Sequence, residues 1–177
     1  MEISKVLDTP DKRLRRENAW HGIVIHHTGL PSSVPKDLSA WQRFQNNIAS
    51  WLTAKDDVYA SAHYQIGYDG EVIQLCDPDK YEAFHAGLSS AWNAKKRAIV
   101  SDWNRWAIGI ELLGDGTIYN YSNSQYESLV DLCKMLIKKY PTIHTRCIYG
   151  HEEIAPGRKD DPGPLFDWNR FFKGLLN

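Results

Sequence analysis

Cysteine is scarce in this chain: Cys76, Cys133 and Cys147 are its three cysteines in 177 residues. Their odd number, wide spacing and lack of a Cys-x-x-Cys pair argue against a disulfide framework and a thiolate zinc finger. They predict buried free thiols kept in a reducing compartment. An excess of one charge sign is also missing. The formal net charge is −1, which argues against a nucleic-acid partner. No segment approaches the ~20 consecutive apolar residues needed to cross a membrane. Residues 1–20 contain no apolar run of signal-peptide length. These absences predict a soluble chain, synthesised in the cytoplasm without a Sec-type leader. Internal repeats and low-complexity segments are absent as well.

What the chain does have suits one domain, residues 1–177, with 42% apolar and 12% aromatic residues to build a core. Residues 1–20 are polar and read as a surface arm or loop. Residues 22–26, Gly-Ile-Val-Ile-His, form a β-branched run that predicts a buried strand ending at His26 and His27. Ser39 reads as a helix N-cap after a turn-rich connection at 31–36, with Trp41, Phe44, Ile48, Trp51 and Leu52 at helical spacing. Residues 59–76 alternate around Asp69-Gly70, the signal of a hairpin. An ordered loop carrying Trp92, Trp103 and Trp106 is expected before a central strand at 107–114, which holds a single carboxylate, Glu111. Helices are expected at 124–140, with Pro141 as its stop, and at 166–176, with a short strand at 147–149. The predicted fold class is α/β: a single domain with a central mixed β-sheet covered by α-helices.

The densest chemistry lies in residues 150–164, Gly-His-Glu-Glu-Ile-Ala-Pro-Gly-Arg-Lys-Asp-Asp-Pro-Gly-Pro. Its glycines and prolines argue against a regular helix or a central strand, leaving a shaped loop. His151-Glu152 opens like a His-Glu-x-x-His zinc motif, but Ala155 stands where the second histidine belongs, so that reading fails. From spacing alone, His26, His151 and Asp161 are only a weak candidate for a two-histidine, one-carboxylate metal set.

That closing stretch, continued through Leu165-Phe166-Asp167-Trp168, resembles the signature of the zinc-dependent N-acetylmuramoyl-L-alanine amidases, the type 2 amidases related to peptidoglycan recognition proteins. Four further segments resemble the family in the same order: residues 24–28 (Val-Ile-His-His-Thr), 61–64 (Ser-Ala-His-Tyr) with Asp69-Gly70, 85–87 (His-Ala-Gly) and 108–111 (Ile-Gly-Ile-Glu). The resemblance covers roughly residues 20 to 170. It implies a peptidoglycan-recognition-protein-like fold and one Zn²⁺ held by His26, His151 and Asp161. It also implies Glu111 as general base and Lys159 as stabiliser of the oxyanion. Arg158 and Asp160 are expected to serve the loop's own salt bridges. His27 is a candidate for lining the substrate cleft or for a structural hydrogen bond. His85 is a candidate for substrate contact or for anchoring its loop. Ala62 stands where some family members carry a catalytic tyrosine, so neither Tyr59 nor Tyr64 is assigned a role.

The implied activity is hydrolysis of the amide between N-acetylmuramic acid and L-alanine, by a monomer acting on peptidoglycan or muropeptide. Three contexts stay open. The favoured one is a phage endolysin released to the wall through a holin, with Trp92, Trp103 and Trp106 beside Lys95, Lys96, Arg97 and Arg105 read as a platform for long glycans. In the alternative, those tryptophans simply cover the core. The second context is a cytosolic amidase that recycles anhydro-muropeptides. The third is a peptidoglycan-binding module without turnover, disfavoured because every ligand and catalytic position is filled.

Overall fold

The computed structural model of the chain describes residues 3–29 and 60–177. The turn at 31–36, the helix expected from Ser39 to Leu52, and Tyr59 lie outside the described residues. The described strands are β1 (Lys5–Val6), β2 (Lys12–Leu14), β3 (Gly22–His27), β4 (Tyr64–Ile66), β5 (Val72–Gln74), β6 (Tyr81–Ala83), β7 (Ser90–Asn93), β8 (Ala98–Ser101), β9 (Ala107–Leu112) and β10 (Ile148–Gly150). The helices are α1 (Asn123–Lys139), the single turn α2 (His151–Ile154) and α3 (Trp168–Leu176). A six-stranded sheet runs in the order β1-β5-β4-β9-β3-β10. Within it only β4 and β5 pair antiparallel, joined by the expected Asp69-Gly70 turn, where Gly70 takes a φ of 81°. All other neighbours are parallel, so the sheet is mixed, as expected.

Strand alternation sends successive side chains to opposite faces. On one face Ile23, Ile25, Ile108, Ile110, Tyr64 and Ile66 pack with Leu129, Leu132 and Leu136 of α1 and Phe171 and Leu175 of α3. Each such side chain, once buried, contributes about 1.5–3 kcal/mol. On the other face Val24 and Ala107 meet Ala86, Trp103, Trp106 and Ile154 in a smaller core. This second face carries His26 and Glu111. The three cysteines are free and buried.

The structure adds to or corrects the reading of the chain at several places. The N-terminal arm is part of the sheet structure: β1 forms the edge beside β5, and β2 pairs with β6. Arg13 and Arg16 bind the buried Glu82 carboxylate and also donate to Asp102 at 2.7 and 2.6 Å. The expected long loop contains a hairpin, β7–β8, and a 3₁₀ turn at Trp103–Arg105. Helix α1 begins at Asn123. Ser122 caps it through a reciprocal capping box with Gln125. Residues 151–154 form one helical turn inside the closing stretch. The glycines and prolines flank this turn and do not interrupt it.

Candidate active site

Parallel strands β3, β9 and β10 all end at the same edge, where ligands bind in sheets of this kind. His26, on β3, lies in register with Glu111 on β9. Gly150, the last residue of β10, pairs with Ile25, which delivers His151 beside His26. The closing loop then returns so that Asp161, ten residues on, meets both. His26 Nδ1 and His151 Nδ1 are 2.9 Å apart, and Asp161 Oδ2 lies 3.0 Å from each. All three residues are buried.

Which protons sit between these atoms follows from the carbonyls behind them. The Ala107 oxygen can only accept, so His85 Nε2–H donates to it at 3.0 Å. His85 Nδ1 is then an acceptor for His26 Nε2–H at 2.9 Å. That leaves the His26 Nδ1 lone pair facing the cluster. On the other side the Ala86 oxygen accepts from His151 Nε2–H at 3.2 Å. Arg158 Nη2 lies 3.3 Å from that same nitrogen but is committed to the Ala86 oxygen at 2.7 Å. His151 therefore also turns an Nδ1 lone pair inward. Two imidazole lone pairs and a carboxylate oxygen thus face one another with no proton assigned between them. Such a set is repulsive unless a cation lies among them. Two nitrogens and one oxygen fit the three-residue donor set of a zinc site. Burial pulls the His26 pKa down to about 4, helped by neighbouring His151 and opposed by Asp161. The ring is therefore neutral, as a metal ligand must be.

Glu111 stands one strand away from His26. Burial pushes its carboxyl well above the usual carboxylate range, the charge of Asp161 pushes it further, and Lys159 pulls it back. A carboxylate shifted upward in this way is a stronger proton acceptor than an exposed glutamate. Lys159 is exposed, and its charge is felt by both Glu111 and His26.

The structure does not bring every candidate into the cluster. His27 follows His26 on the strand and so leaves on the opposite face. It is half-buried, and its Nδ1 accepts the Gly29 N–H at 3.0 Å. His85 is buried beneath His26, where it orients the ring. Sequence reading missed this relay, although Gly109 carried a signal for it. A Cβ at Gly109 would collide with the His85 ring, so only glycine lets the imidazole pack on β9. Arg158 does not serve an ion pair within its own loop. It donates to the Ala86 and Leu88 carbonyls and ties the closing loop to the 84–89 segment. Of the three expected platform tryptophans, Trp103 and Trp106 are buried in the smaller core. Trp92 alone is exposed, paired across the hairpin with the exposed Ile99.

A mixed sheet that gathers two histidines and a carboxylate around one point, with a buried glutamate beside them, presents the donor set that a mononuclear metal hydrolase uses. The chain belongs to the N-acetylmuramoyl-L-alanine amidase family (Amidase_2), whose model matches residues 16–164. It is similar to the 1,6-anhydro-N-acetylmuramyl-L-alanine amidase AmpD of Haemophilus influenzae, with 37% identity over 157 residues, 86% of this chain and 81% of that protein. AmpD of Enterobacter cloacae is 47% identical over 111 residues, 63% of this chain and 54% of that protein. The match thus spans about half the length of the enterobacterial relatives. A crystal structure of a selenomethionine AmpD derivative superposes with a TM-score of 0.79 at 29% identity, covering 99% of this chain and 96% of that one.

Proposed function

We propose that the chain hydrolyses the amide joining the lactyl group of N-acetylmuramic acid to L-alanine, in soluble 1,6-anhydro-muropeptides. The observation that carries the reaction is the convergence of His26, His151 and Asp161, with Glu111 in register beside them. The substrate class is supported by the AmpD relatives, whose names specify the anhydro-sugar.

In this reading His26 Nδ1, His151 Nδ1 and Asp161 Oδ2 would hold one zinc ion. Bound there, it would supply Lewis acidity and lower the pKa of a water molecule from about 15.7 to about 7. Glu111 accepts the attacking water's proton on its carboxylate and passes it to the departing L-alanine nitrogen. Lys159 Nζ places positive charge next to the oxyanion of the tetrahedral species. His85 and the Ala86 carbonyl fix which nitrogen of each ligand ring is free.

The endolysin reading has one specific observation on its side, the exposed Trp92–Ile99 pair with Lys95 and Lys96 nearby. The platform it needs is reduced to that pair, because Trp103 and Trp106 serve the core. The two readings separate in one assay of purified sacculi and anhydro-muropeptide side by side. Rapid release of peptide from the anhydro compound, with little from sacculi, is expected. Comparable release from both would favour the polymer-cutting enzyme.

A further inference from the structure

Gln65 on β4 is directly opposite Glu111 on β9. Paired residues on neighbouring strands project to the same face, with backbones about 4.8 Å apart. The amide and the carboxyl therefore stand side by side on the face that carries His26. Gln65 is 0% exposed, and neither its amide nitrogen nor its amide oxygen has a hydrogen-bond partner. Oε2 of Glu111 is likewise buried without one. Buried polar groups are almost always paired, and leaving one unpaired costs stability. Tyr64 and Ile66 lie in the larger core. His63, just before the strand, accepts the Gly109 N–H at its Nδ1 and donates from Nε2 to the Tyr81 carbonyl. A leucine or methionine would suit the burial of position 65 better, so the amide calls for a partner.

We infer that Gln65 is a positioning residue for Glu111, its Nε2–H reaching the Glu111 carboxylate through one water. The donor fixes the carboxyl's rotation so that its other oxygen addresses the cleft. Among the described residues no hydrogen-bond donor is otherwise assigned to this carboxylate. Gln65 is sealed from solvent, so it cannot be a substrate contact, whereas Glu111 keeps 8% exposure. A general base works through a proton at hydrogen-bond distance and defined angle, so loss of its orienting donor lowers turnover rather than binding.

The inference rests on Glu111 being the base, and the test separates the two. Gln65→Leu and Gln65→Met remove the amide and keep the volume. Zinc content and KM for anhydro-muropeptide are expected to hold, melting temperature to stay or rise, and kcat to fall about tenfold. In a Glu111→Gln background the same substitutions are expected to cost nothing further, because Gln65 acts through that carboxyl. Wild-type kcat in the folded Leu and Met variants overturns the inference. So does an equal loss in both backgrounds, or a lowered melting temperature with unchanged kcat per folded molecule. If Glu111→Gln itself turns over at the wild-type rate, the reading of Glu111 falls. An inactive Glu111→Gln beside a fully active Gln65→Leu removes only the role given to Gln65.

Discussion

His85 shows how a side chain two steps from the chemistry sets it. Its ring spans the Ala107 carbonyl and His26 Nε2, so one backbone oxygen determines the tautomer of a proposed zinc ligand. Partners of this kind change metal affinity about 10–100-fold when removed. His85→Phe fills the same space without either hydrogen bond. It is expected to weaken zinc binding by that factor in a chelator competition titration, and unchanged affinity would contradict the relay. At this scale the sequence was most legible where a motif is contiguous. Residues 150–164 named His151 and Asp161 through a family resemblance, and the structure brings both together with His26. It was least legible where a role depends on a partner far along the chain. His85 contacts His26, 59 positions away, and Gln65 meets Glu111 only through strand register. Nothing local marks either pairing except Gly109, whose missing side chain makes room for the His85 ring.

At the scale of elements, hydrophobic runs and periodic faces translated well. The strands at β3 and β9, the hairpin β4–β5 and the helices α1 and α3 all fell where apolar spacing put them, within a few residues. Short edge elements did not. β1 has two residues, β2 has three, and their burial is slight, so no periodicity could reveal them. What fixes β2 is Glu82, whose side chain is 1% exposed and bound by Arg13 and Arg16. Removing one partner of a buried pair strands the other charge, at about 3 kcal/mol or more. Both guanidiniums remain partly exposed and keep Asp102, which moderates the loss. Glu82→Ala is expected to lower unfolding free energy by about 1–2 kcal/mol in a urea titration and to increase proteolysis within residues 3–16. A change below 0.5 kcal/mol would mean that the clasp holds nothing.

For the molecule as a whole, the second face of the sheet gathers histidines that are kept neutral, and this gives stability a pH dependence. Burial lowers the His63 pKa to about 3 from an ordinary value of 6.5. The unfolded chain therefore binds a proton that the folded chain refuses. The corresponding stability is present above pH 6.5 and is lost as pH falls from 6.5 towards 3, at about 1.4 kcal/mol per pH unit for one proton. His63→Gln can still accept from Gly109 and donate to Tyr81, and it is expected to flatten the fall of melting temperature with acid by about one proton's worth. A slope identical to wild type would contradict this. The fold class was legible from the alternation of strands, hairpin and helices. The choice between a polymer and a soluble substrate was not, because it turns on which tryptophans reach solvent. The central claim is that one zinc on His26, His151 and Asp161 works with Glu111 to cut the muramyl–alanine amide. Its most direct test is zinc per chain and peptide release from anhydro-muropeptide, measured on the same samples of wild type and Glu111→Gln. One zinc per chain is expected in both, with release falling by about two to four orders of magnitude in the variant. Wild-type protein that releases peptide at full rate with no zinc bound, or a Glu111→Gln variant that holds zinc and keeps the wild-type rate, would contradict it.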